Sequence, residues 1–86
     1  MTFEIIWSAS AIKELKKIDR HIAKRIFDTI TRLKEYPYHN IIKLTNSPYY
    51  RLRVGDYRAI LDIQKNQLRI LVIKVGHRKI SMIQYN

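Results

Sequence analysis

The spacing of apolar residues changes near the middle of this chain. In the first part they recur every third or fourth position. In the second they alternate. Ala11, Ile12, Leu15 and Ile18 are spaced for one face of a helix, with lysines between them, and Ser8 or Ser10 offers an N-cap hydroxyl. This predicts a short amphipathic helix over about residues 9–18. Asp19 is placed to cap a second helix, in which Ile22, Ile26, Ile30 and Leu33 repeat, with Phe27 widening the stripe. That helix is expected to run to about Glu35, because the residue before Pro37 is pushed out of the helical region. With almost no loop between them, the two make a helical hairpin. Residues 3–7, β-branched and aromatic, read as a strand ahead of it.

Residues 36–48 read as a loop. Residues 49–54, 57–64 and 68–75 then read as three successive strands. Gly55-Asp56 suits a two-residue hairpin loop with glycine first, and Lys65, Asn66 and Gln67 make the second turn. In the last strand Leu68, Ile70 and Val72 fall on one face and Leu71, Ile73 and Val75 on the other, so it is expected to be central and covered on both sides. The fold class expected is α+β: an N-terminal strand and a helical hairpin packed on a small, mostly antiparallel twisted sheet.

Length bounds this to one domain, residues 1–86. The absence of cysteine excludes disulfides, thiolate nucleophiles and cysteine-bound metal sites. Three scattered histidines, His21, His39 and His77, give no metal-ligand spacing, and no cofactor is expected. The N-terminus carries Glu4 where a signal peptide would be apolar, and Ile70 to Ile73 is far short of a bilayer span. A cytoplasmic, membrane-free protein is expected.

Charge changes the picture most. Seventeen Lys and Arg against seven Asp and Glu leave a net charge of +10. A small surface so charged attracts polyanions, with nucleic acid the first candidate, an acidic protein the second and an anionic membrane surface the third.

The Gly55-Asp56 hairpin gives that charge a place. It sets Val54 opposite Tyr57, Arg53 opposite Arg58, Leu52 opposite Ala59 and Arg51 opposite Ile60. Opposed residues share a face of a sheet, as do alternate residues along a strand. One face then carries Tyr50, Leu52, Val54, Tyr57, Ala59, Leu61 and Ile63. The other carries Arg51, Arg53 and Arg58, with Tyr49 and Ile60 at its edge and only Asp62 nearby to neutralise it. Like charges opposed across a hairpin repel. A bound phosphate resolves the conflict, because the arginine fork donates two parallel hydrogen bonds. A merely solvated basic face is the alternative. Gly76 allows a bend after the last strand, bringing Arg78 towards Arg58, with His77, Lys79 and Tyr85 within reach.

The run from Tyr50 to Leu61, then Val75-Gly76-His77-Arg78 with a tyrosine near the end, resembles the RelE toxins of the RelE/ParE toxin superfamily. That resemblance implies a cytosolic toxin of a type II toxin–antitoxin system. It implies an endoribonuclease that enters the ribosomal 30S A site and cuts messenger RNA without metal. It also implies an acidic, RelB-like antitoxin that wraps it, with a toxin–antitoxin heterotetramer one assembly open to the pair. The matching positions are Arg51, Arg53, Arg58, Arg78 and Tyr85; they make Arg53, Arg58, Arg78 and Tyr85 the catalytic candidates and Arg51 an RNA-binding one, and Lys79 and His77 join the RNA-binding set because they emerge beside Arg78 after the last strand. Where such toxins often carry lysines, this chain has Arg51 and Arg53, and arginine is a poor general base. The alternatives are a ParE-like inhibitor of DNA gyrase and a catalytically degenerate nucleic-acid-binding homologue.

Overall fold

A computed structural model describes residues 2–77. Arg78, Lys79 and Tyr85 therefore lie outside the described residues. The chain runs β1 (Glu4–Trp7), α1 (Ala9–Lys17), α2 (Arg20–Thr31), β2 (Ile41–Lys43), β3 (Tyr50–Val54), β4 (Tyr57–Gln64) and β5 (Arg69–His77). The described strands form one sheet in the order β1-β5-β4-β3-β2. All neighbours are antiparallel except β1 and β5, which are parallel. Two helices packed on this mixed sheet make the α+β fold the spacing predicts. None of the described helices is long and apolar enough to cross a membrane.

The described helices all lie on one face. Ala11, Ile26, Ile30 and Leu33 bury themselves against Leu52, Val54, Ala59, Leu61, Ile70, Val72 and Val75. α1 lies against β5 and α2 against β3. Burying a side chain of this size contributes about 1.5–3 kcal/mol, so this single layer of contacts is the main source of stability. At one edge Trp7 stacks on Phe27, with ring centroids 5.8 Å apart.

Each helix starts where its cap dictates. The Ser8 hydroxyl accepts from the Ala11 amide, and the Asp19 carboxylate accepts from His21. The end of the second helix differs from expectation. Regular helix stops at Thr31 and tightens into a 3-10 turn over Arg32–Lys34, after which the Glu35 and Tyr36 amides both donate to the Arg32 carbonyl. Thr29 and Thr31 bond back to the Arg25 and Phe27 carbonyls, competing with the ladder there.

Two further expectations are corrected. The segment 36–48 is not all loop, for β2 pairs with β3 through Ile41–Leu52, Ile42–Arg51 and Lys43–Tyr50. Three residues are too few to show alternation, and Asn40 and Asn46 turn the chain at either end with left-handed backbones (φ 57° and 55°). Nor does β5 alternate without a break. Leu61 faces Val72, but Ile60 faces Lys74, so Ile73 is an extra residue in a β-bulge. Val75 thereby joins Ile70 and Val72 in the core instead of facing away. Gly76 does not bend the chain out of the sheet; it pairs with Arg58 inside it.

Ser8 secures this bulge. Its amide donates to the Val72 carbonyl at 3.0 Å and its hydroxyl to the Ile73 carbonyl at 2.7 Å, while the same oxygen caps α1. One side chain thus ties the first helix to the irregularity in β5. Ser8→Ala should lower stability by about 1–2 kcal/mol, through loss of a cap and of a half-buried acceptor's partner. Urea unfolding measures it, and a change under about 0.3 kcal/mol would refute the role given to Ser8.

Candidate functional site

The helix-free face of the sheet is built by the hairpin register. Arg53 is opposite Arg58 and Arg51 opposite Ile60, as the Gly55-Asp56 loop predicts. Gly55 supplies the left-handed backbone the tight turn needs (φ 61°). Opposed Cβ atoms lie about 4.5–5.5 Å apart, so Arg53 and Arg58 begin as near neighbours. Arg53 is exposed and Arg51 and Arg58 are half-buried. The Arg53 Nε–H donates to the Gly55 carbonyl at 3.4 Å, which draws it towards the turn. From the helix layer Arg25 reaches the same turn, its guanidinium 3.5 Å from where a Cβ on Gly55 would lie.

The bulge decides what else shares this face. Because it shifts the alternation by one, Lys74 stands opposite Ile60 and Gly76 opposite Arg58. One row across the sheet is therefore Arg51, Ile60, Lys74, and the next is Arg53, Arg58, Gly76. Lys74 is a cation of the site that unbroken alternation assigns to the core. The only sequence signal was a lysine at an otherwise apolar core position. Gly76 puts no side chain beside Arg58 on that flank.

His77 moves the opposite way. It pairs with Tyr57, with the rings edge to face and centroids 5.4 Å apart. Tyr57 belongs to the helix-covered face, so His77 points away from Arg51, Arg53 and Arg58. The expectation that His77 joins them is corrected, and the physical reason is the same extra residue in β5. Lys79, Arg78 and Tyr85 fall outside the described residues.

The face is not uniformly polar. Ile60 is buried rather than lying at an open edge, roofed by Leu44 with Tyr49 and Ile73 beside it. This small second core stiffens β4 directly under the cations. Among the described residues the ion pairs Glu14–Lys17 and Lys24–Asp28 both lie on the helices, and neither reaches Arg51 or Arg53. Asp62, the carboxylate on β4, accepts from the Gln64 amide at 3.1 Å. No group of three His, Cys, Asp or Glu side chains that could hold a metal occurs among the described residues. What the face can do is bind a chain of phosphates and stabilise added negative charge on one of them.

The family model described as ParE toxin of a type II toxin–antitoxin system, parDE, matches residues 5–82. Toxin RelE3 of Methanocaldococcus jannaschii is 33% identical over 82 residues, covering 88% of this chain and 91% of that one. The RelE chain of the RelB–RelE antitoxin–toxin complex from Methanococcus jannaschii superposes with a TM-score of 0.72 at 30% identity, covering 93% of this chain and 96% of that one. The archaeal RelE–RelB complex from Pyrococcus horikoshii OT3 gives 0.82 at 24% identity, over 94% and 100% of the two chains, a likeness of fold. The chain belongs to the RelE/ParE superfamily of type II toxin–antitoxin toxins.

Arg53→Thr removes a like-charge neighbour from Arg58. It should raise stability by about 0.2–1 kcal/mol at low salt while weakening binding to single-stranded RNA. Each lost phosphate contact should flatten the log–log salt dependence of binding by about one. Lower stability together with unchanged RNA affinity would contradict the site.

Proposed function

We propose that the protein is a ribosome-dependent mRNA endoribonuclease, restrained by an acidic antitoxin. The observation that carries this reading is the gathering of Arg51, Arg53 and Arg58 on one open sheet face, at a cost in mutual repulsion that a phosphate chain relieves. Antitoxin complexes of the RelE relatives support the second half of it. An acidic segment that wraps the basic face would neutralise the same charges, and two toxin–antitoxin pairs could then associate.

The reaction is transesterification. The 2′-oxygen attacks the adjacent phosphorus, the bond from phosphorus to the 5′-oxygen breaks, and a 2′,3′-cyclic phosphate and a 5′-hydroxyl result. One proton leaves the 2′-oxygen and one reaches the 5′-oxygen, so no metal or cofactor is needed for balance. Arg58, with Arg78, stabilises the phosphorane's added charge. Arg51 and Arg53 hold the flanking phosphates. Arginine keeps its proton, so proton transfer falls to other groups. Tyr85 is assigned it by resemblance, Lys79 by its place next to Arg78 in the chain, and Lys74, on the same face as Arg58, is a further candidate. His77, turned to the other face, is not offered that role. Holding the message in line on the ribosome supplies much of the rate through orientation.

A ParE-like inhibition of DNA gyrase is the second reading, favoured by the match to the ParE toxin model. In vitro translation with primer extension distinguishes them. The protein should produce breaks only in ribosome-bound message, and Arg58→Ala should reduce cleavage by about 10²–10³-fold with the fold intact by circular dichroism. Undiminished cleavage in Arg58→Ala would overturn the assigned role. Intact message together with inhibited supercoiling would transfer the function to gyrase.

A further inference from the structure

A second concave surface lies around the corner from the arginine face. β2 pairs with β3 only as far as Leu52, and among the described residues no strand pairs with that edge of β3 beyond it. The 3-10 turn that ends α2 stands off from that edge, leaving a cleft of about 360 Å³. This falls within the range of about 300–1,000 Å³ usual for small-ligand pockets. Its floor is Leu33 and Leu52, both fully buried beneath it. Arg32 lines it from the helix side and Arg53 from the sheet. Tyr36, 68% exposed, stands at its rim with His39 and Asn40. Among the described residues no Asp or Glu lines it.

We propose that this cleft binds one nucleotide of single-stranded RNA, its base against Tyr36 over the apolar floor and its phosphate between Arg32 and Arg53. The chemistry of each part favours that occupant. An exposed aromatic beside an apolar floor suits the flat face of a base, which has no need of a matched sequence to stack. The Asn40 amide and the His39 ring are held 3.1 Å apart, and together they offer donors and an acceptor to a base edge. The left-handed backbone of Asn40 (φ 57°) fixes that pair at the mouth. The end of α2 carries partial negative charge, which opposes a phosphate. Two full positive charges exceed it, and the Arg32 carbonyl is already taken by the Glu35 and Tyr36 amides.

The cleft is joined to the arginine face through Arg53, which lines the one and lies opposite Arg58 on the other. It also continues along α2 through Thr29 and Arg32 into a shallow groove lined by Arg25, His21 and the Lys24–Asp28 ion pair. A strand laid across Arg58 would thus have its neighbouring nucleotide at the cleft. In this respect the assignment rests on the endoribonuclease reading, and it adds a recognition site outside the reacting phosphate.

The test separates the two. Amide NMR shifts of the Arg58→Ala protein are followed with a single-stranded RNA hexamer, with adenosine monophosphate, with an abasic ribose-phosphate hexamer and with a poly-glutamate peptide. RNA should shift Thr29, Leu33, Tyr36 and Asn40. Arg32→Ala and Tyr36→Ala, both at exposed positions, should weaken those shifts about tenfold in affinity. The monophosphate should shift the same residues more weakly, which identifies a nucleotide within a chain as the better ligand. Shifts confined to Arg51, Arg53 and their neighbours, or none at all, would overturn the cleft while leaving the nuclease reading to its own assay. Equal affinity for the abasic chain, or equal shifts with poly-glutamate, would also overturn it, as a cation patch without base recognition. On programmed ribosomes Tyr36→Ala should raise KM about tenfold with kcat little changed. A loss confined to kcat would overturn the assignment too.

Discussion

The extra residue at Ile73 governs the rest of this structure. A side-chain period of two means that one inserted residue exchanges the faces of everything after it. Ahead of the bulge, β5 turns Ile70 and Val72 to the helices. Behind it, β5 turns Val75 and His77 there, and delivers Lys74 and Gly76 to the open face. The bulge persists because Ser8 gives the Ile73 carbonyl a hydrogen bond and uses the same oxygen to start α1. A carbonyl released from the ladder would otherwise carry a desolvation cost. The composition of the candidate site therefore depends on a contact on the far side of β5, between residues 65 positions apart.

The open face shows how a small domain reconciles stability with function. Its stability comes from one apolar layer between the helices and the sheet. That frees the other face to hold Arg51, Arg53, Arg58 and Lys74 at short spacing, a charge arrangement that no folding requirement calls for. The small cluster of Leu44, Ile60, Tyr49 and Ile73 in their midst anchors the backbone beneath them. Rigid support matters here because charge stabilisation of a phosphorane depends on donors already in place. Arg53, at the corner where β2 gives out, extends the basic surface from this face to the cleft beside α2.

How much was legible in the chain follows from which interactions are local. The presence of both helices, the Asp19 cap, a serine cap at Ser8 or Ser10, the Gly55-Asp56 turn and the whole β3–β4 register can be read directly, because each depends on residues within a few positions of one another. The grouping of Arg51, Arg53 and Arg58 on one face follows from that register and is legible with it. β2 was invisible, since three residues carry no period and its pairing partner lies about ten residues away. The bulge left one trace, Lys74 at a position that unbroken alternation would bury, because an apolar run such as Ile70 to Ile73 reads the same whether or not one residue is extra.

What the sequence alone determined is thus the two helices, every strand but β2, the hairpin that concentrates the arginines, and membership of the RelE/ParE superfamily, all written in short-range pattern. What only the tertiary structure decided is which face the last strand presents to solvent, and with it the inclusion of Lys74, the exclusion of His77 and the existence of the cleft. Those depend on a hydrogen bond from Ser8 to Ile73 and on where β2 ceases to cover β3. Both are contacts across space, between segments whose local sequences are satisfied by more than one arrangement.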